Sequence, residues 1–218
     1  MTPTPSDATS TDAFAAKRRR MVERQLMRRG ISDERVLRAM AEVPRELFVP
    51  EEQRRQAYRD GALRIGEGQT ISQPWIVAAM TSALELDGDE RVLEVGTGSG
   101  YGAAVLSRCC RELVTIERHP SLAARASEVL RDLGYTNVEV RTGDGSRGAP
   151  DRAPFDGISV AATAAGNPPK ALLEQLAPGG VIVCPVRRDG DERLMRFHAD
   201  GSSQAMVPVR FVPLVEDG

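Results

Sequence analysis

The chain has 218 residues, of which 41% are hydrophobic and 28% charged, with a net charge of −2. That length supports one ordinary domain with a buried core, and that composition is too apolar for a disordered chain. A balance this close to neutral argues against a protein built to hold a phosphate backbone, and no apolar run approaches the roughly 20 residues of a bilayer span.

Residues 1–13 are rich in Thr, Pro and Ser and read as a disordered tail. They lack the basic start and apolar core of a signal peptide. A first helix is expected from Phe14 to Arg29, stopped by Gly30, with "KRRR" at Lys17–Arg20 as a solvated face. Ser32 is placed to cap a second helix whose Val36, Leu37, Met40 and Val43 share one side, and Pro44 ends it. "RELFVPEEQRRQAY" reads as a turn and a short helix, and "GEGQTISQPW" as a glycine-punctuated loop. A further helix buries Ile76, Val77, Met80 and Leu84.

From Arg91 the rhythm changes to short β runs alternating with helices. Strands are expected at 91–95, 112–117, 137–141, 155–160, 180–186, 192–198 and 205–212, with helices near 100–110, 120–133 and 168–177, the last two closed by Gly134 and by "PGG" at 178–180, and a short or absent one near 146–150. Alternation of this kind gives a parallel sheet covered on both faces. The last two strands are joined by "HADGSSQ", a hairpin turn, so one edge is antiparallel. The expected organisation is therefore a tail (1–13), a helical region (14–88) packed on the main domain, and an α/β Rossmann-like domain (89–218) with a mostly parallel seven-stranded sheet. The three cysteines, Cys109, Cys110 and Cys184, have no metal-ligand spacing and read as free thiols in a reducing compartment. Charge and cysteine usage predict a cytosolic monomer with no metal, no nucleic-acid partner and no membrane.

"RVLEVGTGSGYGAAVL" (91–106) places Gly96, Gly98 and Gly100 between a strand and a helix, where open α/β sheets bind ligands. The pattern matches a dinucleotide fingerprint only if started at Gly98, and no Gly-Lys-Ser/Thr follows to make a phosphate loop. Two acids sharpen the choice. Glu117 ends the second strand, where a carboxylate accepts both hydroxyls of a ribose. Glu94 lies two residues before Gly96, where it would repel a pyrophosphate and attract a cationic methionine group. Asp144 in "GDG" follows the third strand and is placed to accept an adenine amino group, or to serve as a turn residue. A nicotinamide oxidoreductase is the runner-up on the loop alone, but no Tyr-Lys or His acid pair accompanies it.

The blocks "RELFVP", "AYRDGALRIGEGQTISQPWIVAAM", "VLEVGTGSGYGAAVL", "IER", "GDG", "LLEQLAPGG" and "FVPL" resemble those of the protein-L-isoaspartate O-methyltransferases, with "GQTISQP" the most specific. The resemblance implies a Rossmann-like fold with extra N-terminal helices and S-adenosyl-L-methionine as cofactor. The implied substrates are damaged proteins and peptides containing isoaspartate, whose free carboxylate is methylated. The methyl ester then closes to a succinimide that reopens partly to normal aspartate. Carried over by position, Ser72 matches the catalytic residue. Gly96, Thr97, Gly98 and Gly100 match the cofactor loop, with Glu94 beside it. Glu117 with Arg118 matches the ribose acid, Asp144 with Gly145 the adenine contact, and Ile65, Gly66 and Gly68 the backbone that closes over the cofactor. Gly102, Trp75, Ala161 and Arg187 stand where bacterial members commonly carry Gln, Tyr, Thr and Gly. Activity on aspartate of a ribosomally made peptide, or on a small carboxylic acid, are the alternatives.

The chemistry asks little of acids and bases. A carboxylate is ionised at neutral pH and needs no general base, so His119 and His198 carry no chemical burden and are expected at the surface. A hydroxyl at Ser72 either holds the substrate carboxylate or caps the helix that Pro74 begins. Segments 161–169 and 209–214 are placed to pair with an extended peptide, and Arg187 and Arg188 to attract an acidic one.

Overall fold

The computed structural model describes residues 5–216, with side chains from 13 onward; residues 1–4 of the expected tail lie outside it. The first helix, α1 (Pro5–Met21), begins well before Phe14. Proline fits a first helical turn, and the alanines up to Ala16 favour helix over the tail expected there. After Met21 the chain continues as a π-helical turn (Val22–Leu26) and a 3₁₀ turn (Met27–Arg29), ending at Gly30 with a left-handed φ of 89°.

Helix α2 (Glu34–Glu42) is capped by Asp33, not Ser32: Asp33 Oδ1 accepts from the amides of Arg35 at 2.9 Å and Val36 at 3.1 Å. It ends at Val43, held extended by the proline that follows. Two 3₁₀ turns follow, at Arg45–Phe48 and Glu51–Gln56. The segment read as a loop is instead a small antiparallel hairpin, β1 (Leu63–Gly66) and β2 (Gln69–Ile71), its tip turned by Gly66, Glu67 and Gly68, all at positive φ. Helix α3 (Pro74–Ser82) leads into the sheet domain.

There the elements run β3 (Arg91–Val95), α4 (Tyr101–Ser107), β4 (Glu112–Glu117), α5 (Pro120–Asp132), β5 (Val138–Thr142), β6 (Phe155–Val160), β7 (Ala164–Ala165), α6 (Lys170–Leu173), β8 (Leu176–Arg188), β9 (Asp191–His198) and β10 (Ser203–Pro208). The main path through the sheet is β10-β9-β8-β6-β3-β4-β5, with the two-residue β7 added on β8. β5, β4, β3, β6 and β8 are parallel, while β9 runs antiparallel to both its neighbours. The strand order reverses at β3, which places a crevice at the carboxyl ends of β3 and β6. Three boundaries differ from expectation. The helix expected over 168–177 is only α6. "PGG" at 178–180 lies within β8, with Gly179 at φ 82°, in place of closing a helix. β10 stops at Pro208, which cannot donate to a ladder, and the chain leaves as a strap over 209–215.

Alternate strand residues fill two cores. Val92, Leu113, Val181, Val183 and Leu194 face a core shared with Leu26, Met40, Phe48, Val77 and Tyr101, so the N-terminal helices and the sheet are packed as one body. Leu93, Val114, Ile158, Ile182 and Cys184 face the other side, under Leu172. The three cysteines are buried free thiols. Among the described residues no helix is long and apolar enough to cross a membrane.

One member of the basic run is structural. Lys17, Arg19 and Arg20 are exposed, but Arg18 donates to Tyr58 Oη (2.9 Å), the Glu42 carbonyl (2.7 Å) and Glu46 Oε1 (3.2 Å). Tyr58 in turn donates to the buried Glu46, and burial raises the phenol pKa. Arg18→Ala removes the cationic partner of a dehydrated acid and leaves it the Tyr58 hydroxyl. It should cost about 2 kcal/mol and lower the melting temperature by roughly 4–8 °C, measured by thermal unfolding, whereas Arg19→Ala should leave it unchanged.

Candidate active site

The carboxyl ends of β3 and β6 open into a cavity of about 1020 Å³. Its walls come from three parts of the chain: Ser72 with the start of α3, the glycine loop with the end of β4, and the strap that follows β10.

Gly96, Gly98 and Gly100 all take positive φ (94°, 54° and 86°), which lets the loop turn; Gly96 and Gly98 border the cavity, while a Cβ at Gly100 would meet Ala126 Cβ on α5 at 3.2 Å. A Cβ at Gly98 would meet Ile65 Cδ1 at 3.5 Å, so the β1–β2 hairpin lies directly on the loop. Its tip is tied to the first turn of α5 by Ser121 Oγ, which donates to Glu67 Oε1 at 2.8 Å.

Glu94, Thr115 and Glu117 share one face of the sheet, because β3 and β4 pair with Glu94 opposite Thr115. Glu117 is 5% exposed; its Oε2 accepts from the Gly98 amide (2.8 Å) and its Oε1 from the His119 amide (3.0 Å). The acid is thereby fixed beneath the loop, on the cavity wall. Glu94 is 4% exposed and accepts one bond, from Thr115 Oγ1 at 2.6 Å. Burial pushes its pKa up to about 8; the Thr115 bond opposes this and the nearby Glu117 charge adds to it. The residue cast from sequence as an anionic partner for a cation therefore keeps its proton at neutral pH in the open cavity.

Ser72 lines the opposite wall. The residue at the N-cap of α3 is Gln73, and no side-chain hydrogen bond caps the helix, so the Ser72 hydroxyl is not spent on capping. Its carbonyl accepts from Arg45 Nη2 at 2.7 Å. Arg45 is 0% exposed: Nε donates to the Ala57 carbonyl (2.7 Å), the guanidinium lies 4.6 Å over the Tyr101 ring, and Nη1 is buried without a hydrogen-bond partner. In front, Gln73 Nε2 donates to Asp60 Oδ1 (2.6 Å), which also pairs with Arg29. Arg29 in turn stacks on Trp75.

Of the residues singled out from sequence, Ser72, Glu94, Gly96, Thr97, Gly98, Glu117, Arg118 and Gly145 all border this one cavity. Asp144 meets it through its neighbour Gly145: its Oδ1 takes the amide (2.9 Å) and hydroxyl (2.7 Å) of Ser146, as a turn residue does. Ile65, Gly66 and Gly68 belong to the hairpin packed on the loop and, like Gly100, are not among the residues lining the cavity. His119, expected at the surface, is half-buried and borders the cavity. Arg188 is engaged by the Gly166 carbonyl (2.8 Å) and Asn167 Oδ1 (2.7 Å), so it shapes the 161–169 loop. Sequence reading missed Arg45: "RELFVP" marked the block, but nothing in it distinguishes a buried arginine from a surface one.

A reversed, mostly parallel sheet with a glycine loop over its switch point, an acid ending the next strand and an antiparallel β9 is the fold of a class I S-adenosylmethionine-dependent methyltransferase, and the solved structures that this chain resembles share it. The model of the protein-L-isoaspartate(D-aspartate) O-methyltransferase (PCMT) family matches residues 16–218. Among similar proteins, protein-L-isoaspartate O-methyltransferase 1 of Rhodopseudomonas palustris is 53% identical, covering 99% of this chain and 88% of its own. Protein-L-isoaspartate O-methyltransferase 1 of Syntrophobacter fumaroxidans is 56% identical over 93% and 95%. A solved protein-L-isoaspartate O-methyltransferase superposes with a TM-score of 0.79 at 29% identity, covering 91% of this chain and 66% of that one. A Plasmodium falciparum structure in complex with S-adenosyl-L-homocysteine shares the fold at 24% identity and a TM-score of 0.77, over 92% and 99%. The chain belongs to the protein-L-isoaspartate O-methyltransferase family.

The state of Glu94 has a consequence for stability. An acid whose folded pKa lies above its unfolded value holds a proton in the fold that it loses on unfolding, so its contribution to stability is present at low pH and lost as pH rises toward about 8. The ligand-free protein should therefore lose melting temperature between pH 5 and pH 8 more steeply than Glu94→Gln, and the variant should be the more stable at pH 8. Parallel curves would show that Glu94 ionises normally.

Proposed function

We propose a division of labour for the activity of this family, methylation of the free carboxylate of isoaspartyl residues in damaged proteins with S-adenosyl-L-methionine. The observation that carries the proposal is the cavity itself: Ser72 stands on one wall, and the glycine loop with Glu117 on the other.

The residues present suit that cofactor. Gly96, Thr97, Gly98 and Gly100 offer a bare backbone cradle. Glu117, held by two amides, is the acceptor for the ribose hydroxyls. Gly145, with Asp144 and Arg118 nearby, forms the adenine end. Ile65, Gly66 and Gly68 close the cradle from above. Glu94 faces the methionine end, where a positive charge brought close lowers a raised carboxyl pKa. S-adenosyl-L-methionine, when bound, supplies an electrophilic methyl group on a sulfonium.

Ser72 is the catalytic residue. Its hydroxyl donates to one oxygen of the substrate carboxylate and leaves the other directed at the acceptor position. No proton has to be removed, so the protein's work is orientation and exclusion of water, and orientation alone is worth roughly 7–11 kcal/mol. The peptide lies extended along the wall that 161–169 and the strap at 209–214 form together, where backbone groups pair with it. Residues 14–88 act as a unit packed on the 89–218 domain, bringing Ser72 over it. The protein works as a cytoplasmic monomer, repairing proteins in general rather than maturing one peptide.

Labelled S-adenosyl-L-methionine with matched isoaspartyl and aspartyl peptides tests the substrate. Base-labile label on the isoaspartyl peptide alone is expected; label on the aspartyl peptide would point to peptide maturation, and on neither, to a small acid. Ser72→Ala should lower kcat by about 10²-fold and leave the Kd for S-adenosyl-L-homocysteine within about twofold. Equal losses in both would reduce Ser72 to a structural role. Glu117→Ala should weaken cofactor binding by roughly 10- to 150-fold, read by calorimetry.

A further inference from the structure

The strap over 209–215 is built unlike the rest of the cavity wall. It belongs to no strand of the sheet, and its residues are only half-buried or exposed. Apolar burial therefore holds it weakly, and its place depends on a few hydrogen bonds. Thr163 pairs with it through backbone, its amide donating to the Val212 carbonyl and its carbonyl accepting from the Leu214 amide, both at 2.8 Å. Arg118 Nη1 donates to the Val215 carbonyl at 3.1 Å.

The remaining fixings converge on one acid of β9. The Glu192 carbonyl accepts from the Val209 amide at 3.0 Å. Its side-chain Oε1 accepts from the Phe211 amide (2.6 Å) and from Thr163 Oγ1 (2.5 Å), and its Oε2 pairs with Arg187 Nη2 (3.1 Å). The side chain is 10% exposed. A carboxylate this dehydrated is held ionised by three donors, and one of them is strap backbone. The donors also belong to three different segments: the strap, the loop after β6 and the end of β8. One oxygen thus joins both halves of the wall, the 161–163 side and the 209–215 side.

We infer that Glu192 is a positioning residue for peptide selection: by bonding Phe211 and Thr163 together it fixes the two paired backbone segments as one wall, along which the substrate chain lies. It touches neither the glycine loop nor Glu117, so it acts on peptide binding and not on the cofactor. The inference rests on the reading of 161–169 and 209–214 as the peptide wall.

Steady-state kinetics with an isoaspartyl peptide, together with calorimetry of S-adenosyl-L-homocysteine, test it. Methylation by the unaltered protein comes first; if no isoaspartyl peptide is a substrate, the reading of the wall falls and this inference with it. Given activity, Glu192→Ala should raise the peptide KM about tenfold, with kcat within about threefold and the Kd for S-adenosyl-L-homocysteine within about twofold. Glu192→Gln keeps an oxygen for Phe211 and Thr163 and should restore the peptide KM to within about threefold of the original. If Glu192→Ala does not fold, Thr163→Val removes one donor at constant shape and should raise the peptide KM by a smaller factor. An unchanged KM in Glu192→Ala or Thr163→Val, a Glu192→Gln as poor as Glu192→Ala, or a parallel loss of S-adenosyl-L-homocysteine affinity overturns the assignment while leaving the wall reading standing.

Discussion

The buried guanidinium of Arg45 is the interaction on which the site depends. It has no acid to neutralise it; two carbonyls and the face of Tyr101 take that place. Burial pulls its pKa below the ordinary value, and the neighbouring tyrosines oppose the shift. Such an arrangement is costly unless the geometry is good, and removing a partner leaves a stranded charge. The return is connection. Ala57 and Ser72 lie in the N-terminal half and Tyr101 opens the helix after the glycine loop, so one side chain ties the wall bearing Ser72 to the wall bearing the cradle.

Two acids one strand apart illustrate how environment divides labour. Glu94 and Glu117 sit on the same face of the sheet, both nearly dry. Glu117 receives two backbone amides, the kind of partner that suits a carboxylate and aims it. Glu94 receives a single hydroxyl and stays protonated to about pH 8. Identical side chains thus present a fixed acceptor at one place and a neutral, proton-bearing carboxyl at the other.

Most of the sheet domain was legible in the sequence because its signals are local. β3, β4 and β6 fall where the apolar runs put them, and Gly30 and Gly134 end helices by positive φ. The glycine loop and Glu117 were legible for the same reason: strand end, turn and acid are set by spacing. What failed was tertiary. The hairpin at 63–71 is held by packing on the loop at Gly98, which no periodicity reveals. α6 is cut short because β8 begins early and extends past its apolar centre. The Ser32 cap lost to Asp33, one residue on, since either side chain suits the position and only the backbone decides. Arg18, Arg45 and Glu192 were invisible as structural groups, because an arginine or glutamate reads as surface until its partners, most of them on other elements of the chain, are in place.

Position 102 carries a wider implication. A Cβ built there would stand 2.5 Å from Glu94 Oε1, so this glycine is what allows the acid to lie under the first turn of α4. A longer residue at 102 has to push the carboxyl end of Glu94 aside, whereas glycine leaves the acid in this pose. The two positions are thereby mechanically coupled: what a side chain at 102 costs is set by how readily the carboxyl end of Glu94 swings aside and finds new partners.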